Sequence, residues 1–155
     1  MRTLLALLFA LIATPALAQG WGHYDNDRFG YGLDIPPGFS SQNFSDNGDG
    51  ESFAAGGKPT YLTVWGGNLT GSFEDEVSQR MAWGESEAWN TTSQTVTPRW
   101  ANWSAIKGFR MLHQRMVLLC DGTSYAAFRL EYSVTDASAM DPAVERLAQS
   151  LRGNC

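Results

Sequence analysis

The chain has 155 residues, 43% of them hydrophobic and 17% charged, with a net charge of −5. That length and apolar content suffice for one domain with one core. The acidic balance removes the phosphate-neutralising charge on which nucleic-acid binding rests.

The opening MRTLLALLFALIATPALA has a basic start at Arg2, an apolar stretch from Leu4 to Ala13, and small residues at Ala16-Leu17-Ala18. This is the pattern of a secretory signal cleaved after Ala18. Residues 1–18 are expected to be a signal peptide and residues 19–155 a single globular domain, periplasmic or secreted. No later run is apolar for long enough to form a stable membrane span, and no basic amphipathic helix marks a membrane surface.

The next stretch, Gln19 to Gly30, is polar and Gly-rich and is expected to be a loose lead-in. YGLDIPPGF then alternates Tyr31, Leu33 and Ile35 against Gly32 and Asp34, a half-buried strand stopped by Pro36-Pro37. FSDNGDGESF, Phe44 to Phe53, admits two readings. A calcium loop needs anionic ligands at its ends and Gly sixth. The only frame with Gly50 sixth starts at Ser45 and ends at Gly56. A hairpin bend needs only residues tolerant of positive φ, and DNGDG supplies them. The bend is preferred, with Phe44 and Phe53 as candidate cross-strand partners. A weak surface cation site at Asp46, Asp49 and Glu51 stays open.

PTYLTVWGGNL is a β-branched and aromatic strand. GSFEDEVSQRMAW changes period: Ser72 caps a helix, Glu74, Asp75 and Glu76 suit its positive end, and Phe73, Val77 and Met81 form one stripe. Gly84 is expected to end or loosen it. Asn90 to Phe109 is part strand and part loop. Arg110 to Val134 is a long hairpin turning at Asp121-Gly122. In its second arm Ala126, Phe128, Leu130, Tyr132 and Val134 share one face. The last helix is expected to start at Asp141-Pro142, to bury Val144, Leu147, Ala148 and Leu151, and to close at Gly153. Strands, helix, strands, helix predict an α+β domain with a curved antiparallel sheet carrying helices.

Two cysteines, Cys120 and Cys155, stand 35 positions apart without a further Cys or a His at ligand spacing. An exported chain implies a structural disulfide between them, worth about 3–4 kcal/mol on the chain-entropy model. The histidines number two, His23 and His113, and no nucleophile motif accompanies either. HYDND, His23 to Asp27, holds metal-capable groups without a second His. Glu85 and Glu87 lie near Trp83 and Trp89, the residue types of glycoside hydrolysis, yet at a helix end where solvated charge is the default. No catalytic set, metal site or cofactor motif is assigned. Six tryptophans are the compositional oddity. Most are expected to fill core. Trp65, Trp100 and Trp103, with Arg99, are the candidate ligand-binding residues.

YGLDIPPGF, DNGDGESFAA, YLTVWG and the SFEDEV helix, followed by FRLEYSV and a final helix with Asp141, Val144, Glu145, Arg146, Leu147, Ala148, Ser150 and Leu151, resemble the PsbP-like (PsbP/Mog-type) fold. The chain is similar to small exported bacterial proteins of that kind. The resemblance implies an α/β/α sandwich and action by binding, as an accessory subunit or adaptor, with no family catalytic residue to transfer. The expected function is a non-catalytic exported domain engaging an envelope protein. The alternatives are a small-ligand or glycan binder using tryptophans and, third, a hydrolase.

Overall fold

The computed structural model describes residues 20–155; the signal peptide expected at residues 1–18 lies outside the described residues. Seven antiparallel strands form the main sheet in the order β3-β4-β5-β9-β8-β7-β6. They are β3 (Phe39–Phe44), β4 (Gly50–Ala55), β5 (Tyr61–Asn68), β6 (Asn90–Val96), β7 (Trp100–Lys107), β8 (Arg110–Leu118) and β9 (Ser124–Ser133). A small sheet holds β1 (Gly22–Asn26), β2 (Tyr31–Ile35) and β10 (Arg152–Gly153). Helix α1 (Phe73–Ser86) covers one face of the main sheet; helix α2 (Ala137–Ser150) and the small sheet cover the other. The class is α+β, as the element order predicts. No described helix is long and apolar enough to cross a membrane.

The central strand explains the layering. Ser124 to Phe128 are all buried, and Leu130 and Tyr132 continue the run. By the two-residue period, Ala126, Phe128, Leu130 and Tyr132 meet Leu147, Leu151 and the β2 residues Tyr31, Leu33 and Ile35. Tyr125 and Ala127 point the other way, into a second cluster with Phe73 and Val77 of α1. A strand buried on both faces reads as a near-continuous apolar run.

Several boundaries differ from the expectation. The lead-in is strand β1, paired with β2 from Gly22↔Ile35 to Asn26↔Tyr31. Its polar composition hides it because only Asn26 is fully buried. Asn90 to Phe109 is mostly strand, β6 and β7, with a short turn at residues 97–99 between them. Gly84 does not stop α1, which runs to Ser86; the left-handed residue is Ala88, at φ 67°. Helix α2 starts at Ala137, so Asp141 is no cap and Pro142 lies inside. A one-turn 3-10 segment, Val134–Asp136, leads into it and moves its start upstream. Gly153 does not close the helix: Arg152 and Gly153 pair with Gly32 and Tyr31.

The Ser45–Asp49 stretch is a hairpin bend. Ser45 N–H donates to Gly50 O at 3.0 Å, and Gly48 takes φ 76°. Arg28 pairs with the Asp49 carboxylate at 2.8 Å, and Asn47 Nδ2 donates to it at 2.7 Å. The Asp49 carboxylate therefore already serves two donors. Glu51 turns into the opposite, buried layer. Phe44 pairs with Glu51 and Phe53 with Ser41, so the two rings are not cross-strand partners; a bulge between Ser41 and Asn43 shifts the register by one residue. Gly50 must stay without a side chain: a Cβ there would run into the Val64 carbonyl and the Trp65 backbone.

Two links hold the C-terminal part down. Arg146 of α2 pairs with Asp34 of β2 at 2.8 Å and stacks 4.3 Å from the Trp21 ring centroid. Ser150 Oγ accepts the Asp34 N–H, and His23 Nδ1 lies 3.0 Å from Asp34 Oδ1. His23 and Arg146 hold the Asp34 carboxyl below its ordinary value. Beyond α2, a disulfide joins Cys155 to Cys120 in the β8–β9 turn, with Cα atoms 6.1 Å apart. Such bonds persist in oxidising compartments.

Two outcomes follow from these links. Cys155→Ser is expected to lower unfolding stability by about 3–4 kcal/mol, read as a drop in urea midpoint that reduction of the wild type reproduces. An unchanged midpoint would contradict the loop-closure role. Asp34 is depressed when folded, so its contribution is present above the usual carboxylate value of 3.8 and is lost as pH falls through and below it. Asp34→Asn is expected to cost about 0.5–1 kcal/mol at pH 7 and nothing near pH 2, in paired urea titrations; a gap that persists at pH 2 would contradict this.

Candidate functional site

Helix α1 is secured at its start by a capping box between Ser72 and Asp75, with Glu74, Asp75 and Glu76 in its first turn. It packs on β7, β8 and β9 through Phe73 and Val77. The β3–β4–β5 side of the same sheet face carries no helix. A groove of about 410 Å³ opens along this margin. Arg80 and Trp83 of α1, with Glu87 just past its end, form its wall; Thr63 and Trp65 of β5, Gln114 of β8, and Arg129 and Glu131 of β9 form its floor.

Arg80 is fixed from several sides. Its Nε donates to Glu76 Oε1 at 2.8 Å and its Nη2 to Tyr125 Oη at 2.6 Å. Its guanidinium centre lies 5.9 Å from the Trp65 ring centroid and 6.0 Å from that of Trp83. Burial pushes the Tyr125 hydroxyl up, against the opposing pull of Arg80. The Trp65 Nε1–H is buried beside that hydroxyl without reaching hydrogen-bond geometry. Arg129 donates through Nε to Glu131 Oε1 at 2.6 Å, lies 3.9 Å from Glu87 Oε2 and stacks 5.3 Å from Trp89. Trp89 closes the far end, packed on Ala105 and Leu112. Two arginines and two glutamates balance in charge, and each arginine is oriented before anything binds. Toward the end of the sheet the surface continues through Tyr61, half exposed and 5.8 Å from the Arg110 guanidinium.

Of the four candidate binding residues, Trp65 alone stands in this groove. Trp103 is 4% exposed and packs in the α1 cluster. Trp100 projects from the opposite face of β7, under Arg115 at 5.1 Å. Three positions along a strand is an odd interval, so the two indoles cannot share a groove. Arg99 is exposed in the β6–β7 turn. Arg80, Trp83, Arg129 and Glu131 escaped sequence reasoning. Their signal was the polar face of the β9 alternation, read together with the side of α1 flanking its apolar stripe.

The groups of hydrolytic chemistry stand apart from one another. His113 is half-buried and stacked on Tyr132, with centroids 5.9 Å apart and planes 8° from parallel. Burial depresses its pKa, opposed by Asp141. Ser104 faces it across the strands, but the Ser104 hydroxyl is bonded to Ser93 Oγ at 2.6 Å. His23 sits exposed between Asp34 and Asp25, the latter at 3.4 Å. Glu85 is exposed on α1, while Glu87 turns toward Arg129.

Neither the family models nor the curated sequences give a match to this chain. Solved structures do. Cyanobacterial PsbP from Synechocystis superposes with a TM-score of 0.67 at 11% identity, over 87% of this chain and 93% of that one. The Ran-binding protein Mog1p of Saccharomyces cerevisiae superposes with a TM-score of 0.64 at 9% identity, over 87% of this chain and 96% of that one. Both likenesses span nearly all the described residues, and identities this low speak to architecture: the chain has the PsbP/Mog1 fold.

Proposed function

We propose that this chain is an exported, non-catalytic accessory domain that engages a protein partner in the cell envelope through the α1 groove. One observation carries the reading: Trp83, Arg80, Trp65, Arg129 and Tyr61 line one uncovered margin of the sheet. Trp, Tyr and Arg are the residues that dominate protein interfaces energetically. Trp83 is 56% exposed, an unusual state for so large an apolar side chain. The fold of a protein named for binding Ran supports association with a protein. The leader expected at residues 1–18 and the Cys120–Cys155 bond support the envelope as the place. The separation of His113, His23, Glu85 and Glu87 from any activated nucleophile supports a binding role over hydrolysis.

A second reading, a saccharide or other small ligand, is favoured by the size of the groove. At about 410 Å³ it falls within the range of small-molecule sites. Its arginines, glutamates and glutamine are planar groups suited to paired hydroxyls, and its indoles offer a stacking face.

Envelope proteins retained by the wild-type domain, but not by Trp83→Ala or Arg129→Ala, are the expected outcome of a comparative pull-down. A loss of 2 kcal/mol or more, about thirtyfold in affinity, is the expected size at such an anchor. Identical retention by all three would contradict the protein-partner reading. Intrinsic tryptophan fluorescence titrated with cell-wall fragments separates the second reading: a saturable change abolished in Trp83→Ala assigns the groove to a glycan, and a flat response removes that option.

A further inference from the structure

Away from the groove wall, one end of the sheet concentrates positive charge around a single protruding aromatic. Lys107 and Arg110 pair across the β7–β8 hairpin, and the turn between them is Gly108-Phe109, with Gly108 at φ 57°. Phe109 is 84% exposed, above every other large apolar side chain described. Its position is nevertheless fixed, since its carbonyl accepts the Val134 N–H at 2.9 Å. Arg110 donates to the Pro59 carbonyl and lies over the Tyr61 ring, which brings the β4–β5 turn alongside. That turn carries Lys58. The chain has only two lysines, Lys58 and Lys107, and the hairpin contacts bring both to this end.

The charge here opposes that of the molecule. Lys58 is 3.1 Å from Asp136, while Lys107, 6.0 Å from the Trp89 ring centroid, and Arg110, over Tyr61, have no carboxylate within ion-pair distance among the described residues. The nearby Glu131 is taken by Arg129 at 2.6 Å. Three cations against the one partly neutralising Asp136 leave about two positive charges on an acidic chain. The shape is convex: a Cβ added at Gly56, Gly57 or Gly108 would meet nothing within 4 Å. An exposed aromatic on an open tip, flanked in its hairpin by Lys107 and Arg110, suits a yielding polar–apolar boundary better than a rigid cleft.

We propose that this tip docks peripherally on an anionic lipid leaflet. Phe109 enters the headgroup–acyl boundary, with Tyr61 at headgroup depth, and Lys107, Arg110 and Lys58 meet lipid phosphates. Each cation near such a surface multiplies the partition by roughly fivefold, and screening by salt reduces it. One ring and two cations without a carboxylate partner give a weak, reversible contact. It would hold an accessory domain at the membrane by the Tyr61 end of the α1 margin, leaving Trp83, Arg80, Trp65 and Arg129 of the groove for a partner.

The test is co-sedimentation of the protein, as recovered from expressing cells, with vesicles of phosphatidylcholine alone or with about one-third phosphatidylglycerol. The expected result is an excess of binding to the anionic vesicles that falls between low and physiological salt. Lys107→Ala should lower that excess about fivefold and Phe109→Ser about tenfold. Both side chains are largely clear of the core, and unchanged urea midpoints show that the variants fold. Trp83→Ala, in the groove, should leave vesicle binding unchanged, so failure of the groove reading and failure of this one are distinguishable. No anionic preference, or a preference that both tip variants retain, would overturn the proposal. So would absent vesicle binding with Lys107→Ala losing a captured acidic protein, which would assign the tip to that protein.

Discussion

Burial of β9 on both faces is the constraint on which the other layers depend. A strand at the centre of a seven-stranded sheet must cover Phe128 and Leu130 on one side and Tyr125 and Ala127 on the other. Removing that apolar surface from water is the main favourable term in folding. On one side the cover comes in two pieces, α2 and the small sheet, locked together by Arg146–Asp34 and by the β2–β10 pairing. On the other it comes from α1 alone. A single fourteen-residue helix is too narrow to roof seven strands. The groove is what remains where that roof stops.

This asymmetry separates the face that carries most of the core from the face on which a partner is proposed to bind. The face with two covering pieces holds the larger core and the small-sheet anchor, and the disulfide clasps the chain end beside it. The face under α1 holds fewer apolar residues, and its margin is filled by Arg80 and Arg129 stacked against indoles. Those arginines bury their stems and planar faces without a closed core around them. Such a surface keeps its shape in the absence of a partner, which lowers the ordering cost of binding.

How much of this could be read from the residues depends on which feature is local. Strand β9, the 121–122 turn, the Ser72 cap and the cysteine pairing rest on period, capping or compartment and appear in the structure as expected, except that Val134 leaves the strand for the 3-10 turn. Strand β1 does not announce itself, because a polar edge strand has no apolar alternation to betray it. The start of α2 was misplaced because Asp141-Pro142 is a strong local signal that the upstream 3-10 turn overrides. Trp65 was legible as a binding candidate, but its companions are assembled from α1, β8 and β9 and share no motif. The basic tip was equally hidden: Lys58 and Lys107 are far apart in sequence, and the sheet order with the Arg110–Pro59 contact brings their turns to one end.

On the proposed function, the α1 margin is where this domain meets its partner. Amide hydrogen exchange of the domain with and without envelope extract tests it directly. Slowed exchange is expected at the C-terminal half of α1 and along the groove ends of β5 and β9, with α2 and β2 unchanged. Protection confined to α2 and the small sheet, or none on any element, would contradict it.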